Sequence, residues 1–168
     1  MRSLQFFRIL SIMMAVFVTI NLSAQSDLPT TQIKTLDGKN VTIQDYIKPG
    51  KITVISFWAT WCAPCKKELD AISEVYEDWQ KLYGIELIAI STDDSRSSSK
   101  IKPMVEQKGW EYTILNDQNQ ELQKAFNFQA VPQTFLIGAD GKIAWTHSGY
   151  VPGDENELEE KIKEEVNK

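Results

Sequence analysis

Residues 51–65 read KITVISFWATWCAPC, and the fold follows from how this stretch is read. Lys51 to Trp58 is a β-branched and aromatic, almost unbroken apolar run, the pattern of a central strand buried on both faces. Ala59-Thr60-Trp61 is a tight connection. From Cys62 onward the period changes. Leu69, Ile72, Val75, Tyr76, Trp79, Leu82 and Tyr83 recur at three and four residues, one face of an amphipathic helix, and Gly84 is its stop. Cys62 therefore falls at or just before a first helical turn. There the unpaired backbone N–H groups and the positive end of the helix dipole favour a thiolate over a thiol. Pro64 fits because that turn needs no N–H donor. Cys65, three residues on, lies one turn inward and is expected to be more buried. Cys62 is the expected nucleophile and Cys65 the resolving thiol: a mixed disulfide forms on Cys62, and Cys65 displaces it.

The cysteine count supports a redox pair over a staple. The chain has two cysteines, spaced Cys-x-x-Cys, and none elsewhere. Small exported domains that depend on disulfides carry several with long loops between them, and closing so short a loop removes little unfolded-chain entropy. A structural zinc site needs four ligands; two cysteines and the single histidine, His147, do not supply them. No metal and no cofactor is expected. His147, at the end of an expected strand, is given no role, as a lone histidine is usually a satisfied surface or half-core residue.

On the amino-terminal side, Arg2 and Arg8 precede a mostly apolar run, Ile9 to Ile20, and Asn21-Leu22-Ser23-Ala24 ends on a small residue. This is the layout of a signal peptide over residues 1–24, and the run is short of the roughly 20 residues a membrane span needs. Export to a periplasm is expected, with no stable membrane span after cleavage; the alternative is an uncleaved anchor over residues 9–20. Losing residues 1–24 removes two arginines and no acid, moving the formal net charge from −5 to −7. An acidic chain without a basic patch does not suit nucleic acid, whose binding rests on cations neutralising phosphates.

Residues 25–50 read as an amino-terminal β-hairpin extension, with strands at Thr31–Leu36 and Val41–Ile43 around the turn Asp37-Gly38, and residues 51–168 as the main domain. Within it, Ile85–Ser91 is a second buried strand and Thr92–Ser99 a polar loop. A helix then reaches about Lys108, with Pro103 confined to its first turn or a kink. Tyr112–Leu115 is a strand, and Asn116-Asp117 opens a helix to about Phe126. Thr134–Ile137 and Lys142–His147 are strands joined by Ala139-Asp140-Gly141, and Asp154 caps a last amphipathic helix ending at Val166. The alternation implies an α/β fold: a central mixed sheet with a parallel core, flanked by helices.

The strand–motif–helix arrangement resembles the thioredoxin superfamily, and Trp61-Cys62-Ala63-Pro64-Cys65 resembles its TlpA/ResA branch, over roughly residues 28–165. The signal peptide, the amino-terminal hairpin and an inserted strand–helix unit before Val131-Pro132 also look like that branch. The resemblance implies a thioredoxin-like fold, a Cys62–Cys65 redox disulfide, a cis peptide bond before Pro132, and a substrate-binding rim of Trp61, Ala63, Pro64, Val131 and Pro132. Trp58 is expected in the core and Trp61 at the surface. Glu68, three residues after Cys65, flanks the apolar helix face. A half-buried carboxyl there would have a raised pKa and could shuttle the Cys65 proton, the role ResA-like proteins give this glutamate. The alternative is an exposed helix glutamate beside Lys66 and Lys67. Where ordinary thioredoxins carry a buried aspartate, two before the tryptophan, this chain has Ser56, which cannot act as acid or base at neutral pH.

The activity implied is that of a thiol–disulfide oxidoreductase, a reductase of oxidised substrate proteins recharged by a membrane thiol donor, with cytochrome c maturation among its uses. Two rivals remain. A peroxiredoxin-like peroxidase shares the fold but calls for a Pro-x-x-x-Thr-x-x segment, absent before Cys62. A non-catalytic thioredoxin-like binding module would have no need of intact cysteines in this place.

Overall fold

The computed structural model describes residues 28–168, so the expected leader lies outside the described residues. Along the chain the elements are β1 (Gln32–Thr35), β2 (Asn40–Thr42), β3 (Thr53–Trp58), α1 (Ala63–Tyr83), β4 (Glu86–Ser91), α2 (Ile101–Lys108), β5 (Thr113–Asn116), α3 (Glu121–Ala125), β6 (Gln133–Ile137), β7 (Ile143–Ser148) and α4 (Asp154–Val166), with 3-10 turns at Ile43–Asp45 and Ser98–Lys100. Seven strands form one sheet in the order β2-β1-β5-β4-β3-β6-β7. β3, β4 and β5 run parallel; β6 and β7 on one side and β1 and β2 on the other are antiparallel additions. This is the mixed α/β sheet, flanked by helices, expected of a thioredoxin-like fold.

All six residues of β3 are buried, because helices or loops cover both faces of the strand. Its side chains alternate between two cores. Val54 and Trp58 join Leu87, Ala89 and Leu136 against the inner faces of α1 and α4, contributed by Leu69, Ile72, Leu158 and Ile162. Ile55 and Phe57 join Ile88, Ile90, Phe135 and Ile137 on the other face, closed by Ile43, Leu122 and Phe128. By the same alternation Ser56 faces the α1 side. α1 stops where Gly84 turns left-handed (φ 66°), a conformation glycine adopts without a Cβ penalty, and its N–H closes on the Gln80 carbonyl.

Several element ends lie a residue or more from the sequence reading, three of them for a visible reason. The second strand ends at Thr42, whose N–H donates to Asp45 at 2.7 Å; the resulting 3-10 turn carries Ile43 into the core. The helix expected from Asn116-Asp117 begins at Glu121 instead. The Asp117 carboxylate accepts the N–H groups of Glu121, Leu122 and Gln123 (3.0, 3.2 and 2.7 Å), so it caps the helix from across a turn. Asp154 is the first residue of α4, and Gly153 (φ 109°) is its N-cap. Among the described residues no helix is long and apolar enough to cross a membrane.

Candidate active site

β3 delivers the chain to the site, and the connection after it is clamped. Thr60 donates its N–H and its hydroxyl to the two oxygens of Asp93 (2.8 and 2.7 Å), and Ser91 Oγ donates to Asp93 at 2.7 Å. Asp93 is buried two residues past the end of β4, in the stretch whose sequence reads as a polar loop. Nothing in the local sequence separates it from its solvated neighbour Asp94.

Cys62 is the N-cap of α1, with extended backbone (φ −85°, ψ 105°), and its sulfur accepts the Cys65 N–H at 3.3 Å. Pro64 lies in the first turn. Cys62 and Cys65 are joined in a disulfide, their Cα atoms 5.4 Å apart. Cys65 is fully buried and Cys62 is 4 % exposed, so both sulfurs are largely out of water. Around them Trp61 (69 % exposed), Ala63 and Pro64 form an open rim. Trp58, at the end of β3, is fully buried, its ring edge-to-face with Trp110.

The peptide bond between Val131 and Pro132 is cis, and the Val131 carbonyl lies 3.8 Å from Cys62 Sγ. With the sulfur oxidised there is no S–H to donate, so this is a contact and not a hydrogen bond. Beside it runs an open groove of about 610 Å³ with an apolar floor that includes Phe126, Phe128, Val131 and Phe135.

Glu68 sits one turn below Cys65 on the same face of α1 and is buried, 5 % exposed, rather than half buried. Thr134 Oγ1 donates to its Oε1 at 2.6 Å, and Ser56 Oγ donates to its Oε2 at 3.2 Å. Loss of water pushes its carboxyl up to about 7, against the downward pull of the two hydroxyls and of His147. The serine that stands in place of a buried aspartate is thus a hydrogen-bond donor to the glutamate. His147 has a partner the sequence did not disclose: its Nε2 is 3.1 Å from Asp154 Oδ2, and its ring stacks on Trp145.

The structure therefore brings Cys62, Cys65, Val131 and Pro132 together, with Trp61, Ala63 and Pro64 on the rim and Glu68 beneath. A buried carboxylic acid near neutrality, one turn from a dithiol couple, is equipped to move a proton while sulfurs exchange partners.

Comparison with known proteins points the same way. The AhpC/TSA family matches residues 24–146. The thiol–disulfide oxidoreductase ResA of Bacillus thuringiensis subsp. konkukian is 30% identical over 137 residues, 82% of this chain and 75% of the relative. Among solved structures, a thioredoxin-like protein from Porphyromonas gingivalis is 42% identical, with a TM-score of 0.75 over 84% of this chain and 92% of that one. StoA from Bacillus subtilis is 25% identical, with a TM-score of 0.62 over 79% and 98%.

Proposed function

The chain belongs to the AhpC/TSA family, on the side of its ResA-type thiol–disulfide oxidoreductases, and from that premise we propose that it works as a reductase of disulfides in exported proteins. That it is a thiol–disulfide oxidoreductase follows from the family and the Cys-x-x-Cys pair. The reductive direction rests on the TlpA/ResA resemblance; Glu68, a buried carboxyl one turn from Cys65 held by Thr134 and Ser56, supplies the proton transfer that the exchange needs.

In the dithiol form Cys62 attacks as the thiolate, held by the Cys65 N–H and the amino end of α1. The substrate disulfide opens, one of its sulfurs leaves with the electron pair and takes up a proton from solvent, and the other stays bound to Cys62. Cys65 then gives its proton to Glu68 and attacks the Cys62 sulfur. The Cys62–Cys65 bond forms, and the second substrate sulfur leaves with the electron pair and takes up a proton. Trp61, Ala63, Pro64, Val131 and Pro132 make the docking rim, with the Val131 backbone receiving an extended substrate segment.

Residues 1–24 serve as the export signal, the hairpin within residues 25–50 precedes the catalytic unit of residues 51–168, and the periplasm is the working compartment, supported by the charge and apolar pattern of the first residues. An oxidising compartment requires a membrane thiol donor to restore the dithiol. Apocytochrome c, whose paired haem-site cysteines must be reduced before attachment, is the substrate class the TlpA/ResA resemblance supports.

The test is the reduction potential of the Cys62–Cys65 couple, measured against glutathione or dithiothreitol. A value toward the thioredoxin end, about −270 mV, is expected; one near about −120 mV would mark an oxidant and end the reductase reading.

A further inference from the structure

A second cluster of polar groups lies against Glu68, away from the cysteines in sequence and on different elements. Glu68, Thr134, His147, Tyr150, Asp154 and Glu155 line a narrow crevice walled also by Ile72, Trp145 and Leu158, whose open space, about 10 Å³, is that of roughly one water. Thr134 on β6, the donor to Glu68, pairs directly with His147 on β7 across the antiparallel ladder, so the two side chains stand side by side on one face. His147 in turn meets Asp154 at the start of α4. Exposure rises along this line: Glu68 is buried, whereas the side chains of His147 and Asp154 are 25 % and 21 % exposed.

The other groups around Glu68 are poor proton carriers. Ser56 and Thr134 donate to it as neutral hydroxyls. Tyr112 is held protonated by burial and by the fields of Asp70 and Glu68, with its hydroxyl committed to the Leu69 carbonyl. Tyr150 is pushed up to about 12 by burial and by its bond to Glu155, whose own carboxylate also holds the Gly153 N–H. An imidazole is the side chain suited to pass protons near neutral pH.

We propose that this crevice is the proton exit of the active site, with His147, backed by Asp154, carrying protons between Glu68 and solvent. The proposal rests on the reading of Glu68 as the acceptor of the Cys65 proton. After Cys65 has closed the disulfide, the Glu68 O–H bond breaks and its proton passes through one water in the crevice to the imidazole. The imidazolium forms beside the Asp154 carboxylate and releases the proton to solvent, leaving Glu68 ready for the next turn; no electron moves in this step. His147 is a relay residue and touches neither sulfur nor substrate.

Continuous turnover of insulin disulfides with dithiothreitol as reductant, in weak buffer, tests this with His147→Ala, His147→Gln and Glu68→Gln. Both His147 variants should turn over roughly tenfold more slowly, less than the hundredfold or more of a group that meets the reacting atoms, because His147 acts through Glu68. Added imidazole should restore the His147→Ala rate while leaving the wild type unchanged. A His147→Ala protein as fast as wild type beside a slow Glu68→Gln overturns the relay and spares the Glu68 reading. A slow His147→Ala that imidazole does not rescue also overturns it, because a merely structural loss is not repaired by a free base. A Glu68→Gln protein at wild-type speed overturns the Glu68 reading and the relay with it. The His147→Gln variant, which keeps a hydrogen-bonding side chain at the position, guards against misfolding.

Discussion

Glu68 is an acid buried where an apolar residue would pack, and the protein bears a stability penalty for it. Its folded-state pKa of about 7 lies above the ordinary 4.5, so the folded form resists ionisation that the unfolded chain accepts. Stability is therefore fully present below about pH 4.5 and declines as pH rises toward about 7, by on the order of 3 kcal/mol in total. Urea unfolding of the oxidised protein should show this decline, and Glu68→Gln should flatten it. The variant should be the more stable protein at alkaline pH, with the gap closing in acid; parallel curves for the two would contradict the assignment. The position of Glu68 relative to Cys65 was legible, because a three-residue offset on a helix is a local relation. Its partners were not. Thr134 lies 66 residues away and reaches Glu68 through strand pairing, and His147 is brought beside Thr134 by the same pairing. A single sequence carries no record of which strand faces which.

Among the elements, α1 was readable at both ends because its signals are local: a sulfur at the N-cap, a proline in the first turn, a glycine at the stop. α3 begins later than its local signals imply. Asn116-Asp117 has the chemistry of a helix start, and Asp117 does take helix N–H groups, but from four to six residues away. The chemistry was right and the register wrong, since a carboxylate can reach a helix end without adjoining it. Asp93 shows the opposite failure: an acid in a polar stretch that is wholly internal. Asp93→Ala leaves the Thr60 N–H and two hydroxyls without their acceptor at the site's entry. It should lower stability by about 1–3 kcal/mol and slow disulfide reduction, checked by denaturant titration and insulin turnover. Unchanged stability would mean the connection is held by other contacts.

At the scale of the molecule, the strand–helix alternation specified the parallel core, and the hairpin signals specified the additions at its edges. Less visible was how far the amino-terminal hairpin is built into the rest. β1 pairs with β5 at only two positions, Lys34 with Asn116 and Thr35 with Leu115. Yet Ile33 and Ile43 are buried in the core shared with Phe57, Phe135 and Ile88. Ile43→Ala should therefore cost about 2–5 kcal/mol, the range for a large core side chain, and not the few tenths expected of an appendage. Thermal unfolding of the variant decides between the two.

The depth of the disulfide governs who may open it. With both sulfurs sunk behind an exposed tryptophan and flanked by a groove, a small thiol drifting past has little surface to strike. A polypeptide that lies along the groove can bring its own cysteine to Cys62. Small thiols still reach the couple at the exposed edge of Cys62, but a polypeptide held along the groove has the advantage of contact, so the choice among protein partners can answer to shape.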